Sequence, residues 1–213
     1  MPPADANQMV FQWLSVPDPT GATLFWLSAL AQWPVFGLPV LLIGLWLFGS
    51  RPNREASVLA GITGCVALLA AHVVSTLIDH PRPFMVGLAA NLLDHAPDNS
   101  FPSDHATLLF ATAAAFAFRP FQRTLWLGVA VATVGLAVEW ARVALGVHFP
   151  FDIFGAAFIA GLSEILVTSR AMRLPLFIVM KTSETIRDGL PLSPEDDTRS
   201  LSKKLSIDAH PDR

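Results

Sequence analysis

The sequence predicts an all-α integral membrane protein, a transmembrane helix bundle of about five spans with flanking interfacial helices. Three observations carry that expectation. Of the 213 residues, 53% are hydrophobic and only 15% are charged, against about a quarter charged in a soluble domain. Mean hydropathy is +0.50. The charge is also missing in blocks: no Asp, Glu, Lys or Arg falls between Gly21 and Ser50, or between Ala56 and Ile78. About 20 apolar residues cross a bilayer, so each block is long enough to span one. Finally, a chain this short has too little interior to bury so many apolar helices in a soluble core.

The elements follow in order. Met1 to Val16 contains Asp5 and no Lys or Arg, so it lacks the basic start of a cleaved signal, and the first span is expected to direct its own insertion. Residues 7–16 (NQMVFQWLSV) read as a short interfacial helix closed by Pro17. Residues 22–49 are too long for one straight span and carry Pro34 and Pro39. They read as a short interfacial or re-entrant piece followed by span one, about 34–49. Span two covers about 56–78, and the polar, Pro- and Asp-rich stretch 79–102 is the longest internal loop. Span three is short and Ala/Phe-rich, about 103–118; span four runs about 123–143 and span five about 151–169. Ala171 to Ile186 mixes apolar and basic residues as an interfacial helix does. Trp13, Trp26 and Trp33 suit interfacial anchors. A polar tail expected to be disordered occupies residues 188–213.

Basic residues orient the bundle. Arg51, Arg54, Arg119, Arg123, Arg170 and Arg173 all fall on one side of the five spans, as do Lys181, Arg187, Arg199, Lys203, Lys204 and Arg213. Cytoplasmic loops concentrate Lys and Arg, so the C-terminus is expected in the cytoplasm and the N-terminus outside. Only Arg82 and Arg142 stand on the opposite face. Cys65 is the single cysteine, so no internal disulfide can form. The net charge of −3 does not suggest a nucleic-acid partner.

Three clusters meet on that outer face. HPRPF (His80 to Phe84) ends span two, SFPSDHAT (Ser100 to Thr107) opens span three, and RVALGVHFPFD (Arg142 to Asp152) crosses the turn between spans four and five. Arg offers a planar fork of donors that matches phosphate oxygens. A helix start adds free N–H groups and a positive dipole end, and Pro102 and Pro150 suit first-turn positions. The assembled set is suited to holding phosphate.

These clusters resemble the motifs of the type-2 phosphatidic acid phosphatase superfamily: KxxxxxxRP, PSGH and SRxxxxxHxxxD. Here they read SxxxxxxRP (Ser75 to Pro83), PSDH (Pro102 to His105) and ARxxxxxHxxxD (Ala141 to Asp152). The wider string HAPDNSFPSDHAT, with PRPF before it and GVHFPFD after it, resembles the bacterial undecaprenyl-diphosphate phosphatase branch linked to bacitracin resistance. There are three departures: Ser75 stands where the superfamily has a phosphate-binding Lys, Asp104 replaces Gly, and Ala141 replaces Ser.

The resemblance implies a membrane-embedded phosphatase domain over residues 1–187 that recycles a lipid carrier of cell-wall biogenesis at the bacterial inner membrane. It implies His148 as the nucleophile that carries phosphate, Asp152 as the group that orients it, and His105 as the acid that protonates the leaving lipid phosphate and then activates water. Arg82, Arg142, Ser103, Asp104 and Pro102 would bind substrate. Ser75 and Glu139 are candidate orienting residues. Glu139 lies three residues before Arg142, where it can pair with it or make a polar contact elsewhere. Asp104 can be no more than a dipole partner for its helix. No metal or other cofactor is required, because paired Arg residues repel a dication. His80 and His95 read as solvated loop residues, and Glu164 and His72 as packing residues within spans. The expected partners are the lipid phosphate or diphosphate substrate and the bilayer. The alternatives are a phosphatase for phosphatidylglycerophosphate, phosphatidate or lipid A, and a non-catalytic lipid-binding or transport relative, which the absent Lys favours. A vanadate-dependent haloperoxidase shares the motifs but is soluble.

Overall fold

The computed structural model describes residues 5–119 and 122–190. Every regular element among the described residues is helical, and the expected helices are all found. The tail expected to be disordered falls mostly at residues 191–213, with Arg199, Lys203, Lys204 and Arg213, outside the described residues.

Helix α1 (Ala6–Leu14) starts where the Asp5 side chain accepts the Gln8 N–H, an N-cap. It does more than lie at an interface. Phe11 is buried, with its ring edge-on to Phe149 at 5.5 Å. α2 (Gly21–Gln32) and α3 (Pro34–Phe48) are separated at Trp33, where Pro34 cannot donate a helical hydrogen bond. The break falls at Pro34, as expected, whereas Pro39 lies inside α3 without ending it. The first piece is not set apart from the bundle, however: Leu27 and Ala31 of α2 pack on Ala141, Ala144 and Leu145.

α4 (Arg51–Leu77) begins a turn earlier than the charge-free run, with Pro52 in its first turn and an Arg51–Glu55 ion pair at 3.0 Å. Loss of charge marks the hydrocarbon boundary, not the end of a helix. α5 (Asp104–Ala117) is the inner helix, packed against α4, α6 (Gln122–Ala144) and α7 (Pro150–Thr168). Close approach to α6 needs Gly128 and Gly135: a Cβ there would sit 2.7 Å from the Ala113 carbonyl oxygen and 2.9 Å from the Phe110 ring.

Four stretches are long and apolar enough to cross a membrane: Gly21–Phe48, Arg51–Leu77, Arg123–Ala144 and Pro150–Thr168. At 1.5 Å per residue, the 14 residues of α5 reach about 21 Å, short of the roughly 30 Å hydrocarbon layer. The expected third span is therefore a short helix sheathed by longer ones. Many large apolar side chains are exposed around the bundle, among them Trp13, Trp26 and Trp33. Water would not tolerate so broad an apolar surface, and a bilayer accounts for it. α8 (Arg173–Asp188), after a 3-10 turn over Arg170–Met172, belongs to a separate unit that starts at Met172. It joins an apolar run, Leu174 to Met180, to a half that carries Lys181, Glu184, Arg187 and Asp188, an amphipathic composition that suits an interfacial helix.

Candidate active site

The turn from α6 to α7 places the central histidine. Gly146 has φ +75°, a conformation side chains disfavour, and a Cβ there would meet Ala89 at 2.2 Å. The next residues, Val147 and His148, lie in the turn, and Pro150 opens α7. Pro150 thus occupies the first-turn position expected of it. Pro102 does not: Ser103 is the N-cap and Asp104 the first helical residue of α5, so Pro102 lies just outside the helix.

His148 is almost wholly buried, and each ring nitrogen has a distinct environment. Nδ1 lies 3.3 Å from Asp152 Oδ2 and 3.3 Å from Ser100 Oγ. Nε2 lies 3.1 Å from Arg82 Nη1 and 3.3 Å from Arg142 Nη2. A guanidinium can only donate, so Nε2 carries the lone pair and Nδ1 the proton. Burial pushes the imidazole below the usual histidine value. Asp152 works against that shift and the two arginines reinforce it, leaving the pKa at about 4. The ring is therefore neutral at physiological pH, with its lone pair aimed between two guanidinium forks.

Both arginines are held by the fold. Arg82 donates through Nε to Asp98 at 2.8 Å, through Nη1 to the Val147 carbonyl at 3.1 Å and through Nη2 to the Asn99 carbonyl at 3.1 Å. Arg142 donates to the Ala31 carbonyl at 3.3 Å, near the C-terminal end of α2, where the helix dipole is negative. Its Nη2 also reaches His95 Nε2 at 3.3 Å. Burial lowers the His95 pKa, and the charges of Arg82 and Arg142 act in the same direction.

Asp152 is fully buried. Its Oδ2 accepts from the Phe149 N–H at 2.8 Å and from the Ser100 hydroxyl. His105 is half-buried in the first turn of α5 and lies in the electrostatic field of Arg142, His148, His95 and Arg82. Its helix start leaves first-turn N–H groups without intrahelical acceptors, so His105, His148, both arginines and free amides share one end of the bundle.

Other candidates sit differently from expectation. Glu139 makes no hydrogen bond to Arg142, although each feels the other's charge; its Oε1 accepts the Ser103 hydroxyl at 2.9 Å. That bond commits the Ser103 proton, which leaves the cap contact to Ala106 N–H at 3.4 Å and the backbone as what Ser103 presents. Asp104 is exposed at the first helical position, as a dipole partner would be. Ser75 contributes through its carbonyl, which accepts from Asn99 Nδ2 at 2.7 Å. Glu164 is more than packing: it bridges Arg119 at 2.9 Å and Thr63 at 3.0 Å. His95 is no solvated loop residue, since it faces Arg142, and His80 is wedged against Phe149 and Phe101. Ser100, Asp98, Asn99 and His95 are site residues that spacing alone did not single out. All four lie in the polar string from His95 to Thr107, and that density was the available signal.

An apolar groove of about 400 Å³ runs between α4 and α7, lined by Val66, Ala70, Val74, Phe158 and Leu162, and reaches Phe101. Phe101, which lines one part of the groove, follows Ser100 in the chain and stands edge-on to His80. Among the described residues, no group of three or more His, Cys, Asp or Glu side chains is placed to hold a metal ion.

Comparison with known proteins gives the same picture. Residues 55–174 match the model of the PAP2 superfamily. The provisionally named undecaprenyl-diphosphatase YbjG of Escherichia coli is 37% identical over 118 residues, which is 55% of this chain and 58% of that protein. Undecaprenyl-diphosphatase BcrC of Bacillus subtilis is 30% identical over 169 residues, covering 78% of this chain and 86% of that protein. The crystal structure of Aquifex aeolicus LpxE shares the fold, with a TM-score of 0.60 at 21% identity over 77% of this chain and 95% of that one. With its long apolar helices, the chain is a multi-pass membrane protein and belongs to the PAP2 superfamily.

Proposed function

We propose that this protein is a phosphatase that hydrolyses undecaprenyl diphosphate to undecaprenyl phosphate, through a phosphohistidine on His148. One observation carries the reading: two guanidinium groups converge on the unprotonated nitrogen of a buried, neutral histidine backed by a carboxylate. The names of YbjG and BcrC support the choice of lipid.

The reaction takes two steps. His148 Nε2 bonds to the terminal phosphorus as the bond from phosphorus to the bridging oxygen breaks, and His105 protonates the departing lipid phosphate. Asp152 holds the Nδ1–H as the ring becomes positive. Water then attacks phosphorus, giving its proton to His105, while the phosphorus–nitrogen bond breaks and inorganic phosphate leaves. Arg82 and Arg142, with the first-turn amides near Ser103, stabilise the charge on the transferring group. Pro102 and Asp104 shape that helix start, and Ser75 acts through Asn99. The apolar groove between α4 and α7 takes the lipid chain, so that the diphosphate meets His148 at the membrane surface.

The phosphatase domain comprises residues 1–187 of an inner-membrane protein, with the site on the outer face and a polar tail from residue 188 in the cytoplasm. The deciding experiment incubates detergent-solubilised protein, with EDTA present, with undecaprenyl diphosphate, phosphatidylglycerophosphate, phosphatidate and lipid A. Phosphate release fastest from undecaprenyl diphosphate is expected. A faster monoester reassigns the substrate; no release from any, with lipid still bound, means a non-catalytic relative.

A further inference from the structure

Asp152 is satisfied on one side only. Its Oδ2 faces the Ser100 hydroxyl, the Phe149 N–H and His148, whereas its Oδ1, equally buried, has no hydrogen-bond partner. His80 Nδ1 lies 3.6 Å away, itself buried and without a partner. Two complementary orphan atoms therefore face each other just beyond bonding distance, and a small rotation of the imidazole closes the gap.

The loop holds His80 in that position. Its carbonyl accepts the Ser100 N–H at 2.7 Å and its own N–H donates to Asn99 Oδ1 at 3.2 Å. The ring stands edge-on to Phe149 at 5.3 Å and to Phe101 at 6.3 Å. The same short segment thus fixes His80 and Ser100, one for each oxygen of the carboxylate.

We propose that His80 is a positioning residue for the reaction: its Nδ1–H donates to Asp152 Oδ1 and locks the carboxylate that orients His148. The proposal rests on the reading of His148 as nucleophile. His80 does not reach the Nε2 side of His148, where phosphate arrives, so it acts on turnover and not on substrate binding. Without the donor, Asp152 is free to rotate about its side-chain bond and the line from Oδ2 to Nδ1 is lost.

Three variants test this. In His80→Asn the amide nitrogen replaces Nδ1 at the same remove from the backbone; in His80→Gln the amide lies one atom further out; His80→Leu removes the donor. The Asn variant should keep kcat within about twofold. The Gln and Leu variants should lose about tenfold in kcat at unchanged KM, the scale of losing a partner that orients a reacting histidine. Detergent melting temperatures identify any variant that fails to fold, and the Asn and Gln pair decides the matter if Leu does. Equal losses in Asn and Gln, wild-type kcat in Gln, or a change confined to KM would each overturn the proposal. Failure of the nucleophile reading is separately visible, as turnover surviving in His148→Ala.

Discussion

Arg82 and Arg142, 60 residues apart in sequence, reach the same atom, His148 Nε2, at 3.1 and 3.3 Å. Two like charges this close suit an anion held between them. Arg82's other donors go to Asp98 and to the Val147 and Asn99 carbonyls, whereas Arg142 donates to the Ala31 carbonyl, reaches His95 and leaves its Nε without a partner. Their planar forks matter as much as their charge. Either Arg→Lys substitution keeps the charge and loses the fork, and should lower kcat/KM by about 100-fold or more, the scale of losing one oriented donor to a transition-state oxyanion. Phosphate release measured over a range of substrate concentration checks this; near-wild-type values would mean that charge alone suffices.

The lowered basicity of His148 sets the acid limb of activity. An unperturbed imidazole is half protonated near pH 6.5, but this one stays neutral down to about pH 4. With its neutral form as the proposed nucleophile, activity is expected above that pKa and is lost as pH falls through it. The profile of kcat/KM, which reports the free enzyme, should show this loss near pH 4 once substrate ionisation is allowed for. An acid limb near 6.5, matched by a His148 imidazole that titrates there by NMR in the wild-type protein, would contradict the buried neutral ring.

If the lipid chain lies between α4 and α7, filling that groove should penalise long chains alone. Ala70→Phe is expected to raise KM for undecaprenyl diphosphate by about tenfold, or roughly 1.4 kcal/mol, and to leave hydrolysis of p-nitrophenyl phosphate unchanged. The control is Cys65→Phe, in the neighbouring groove between α3 and α4, which should affect neither substrate. Equal effects of the two variants on the long chain would place the lipid elsewhere.

The fold was largely legible because a bilayer imposes simple rules: apolar length marks spans, and prolines and caps mark their ends. Where the rules misled, the reason is local. α4 starts at Arg51 because charged residues can prolong a helix beyond the hydrocarbon layer. The motif-bearing residues of the site were legible too, but their supports were not. Helical spacing pairs Glu139 with Arg142, yet the carboxylate turns to Ser103, 36 residues away in sequence. Ser100 and Asn99 acquire their roles only when the loop folds back so that Asn99 pairs with Pro81, and the carbonyl that receives Arg142 belongs to Ala31, 111 residues earlier. Such contacts depend on tertiary closure, which leaves no local signature.

The proposed orientation, with the basic loops in the cytoplasm and the site outside, can be read in intact cells. In a Cys65→Ala background, Pro97→Cys in the catalytic loop should react with a membrane-impermeant thiol reagent, while Arg170→Cys should react only after permeabilisation. Both positions are exposed. The reverse labelling would put the site in the cytoplasm.

The two histidines of the reaction should fail in different ways. In the proposed mechanism His148 supplies the atom that bonds to phosphorus, so His148→Ala has no nucleophile and no choice of leaving group can restore it. His105, at the start of α5, supplies a proton, which matters most when the leaving group is poor. Both Ala variants should lose turnover of the lipid diphosphate, His148→Ala at the first step and His105→Ala because the water that clears the phosphoenzyme is not activated. p-Nitrophenolate departs with little need for protonation, so His105→Ala should still release a burst of it on mixing with p-nitrophenyl phosphate. The burst should approach one equivalent per enzyme and then slow, because the same residue must activate the water that clears the phosphoenzyme. His148→Ala should release none. Acid-labile phosphate retained on His105→Ala after the burst, and absent from the His105→Ala/His148→Ala double variant, would locate the intermediate on His148. A burst in His148→Ala but not in His105→Ala would exchange the roles assigned to the two side chains.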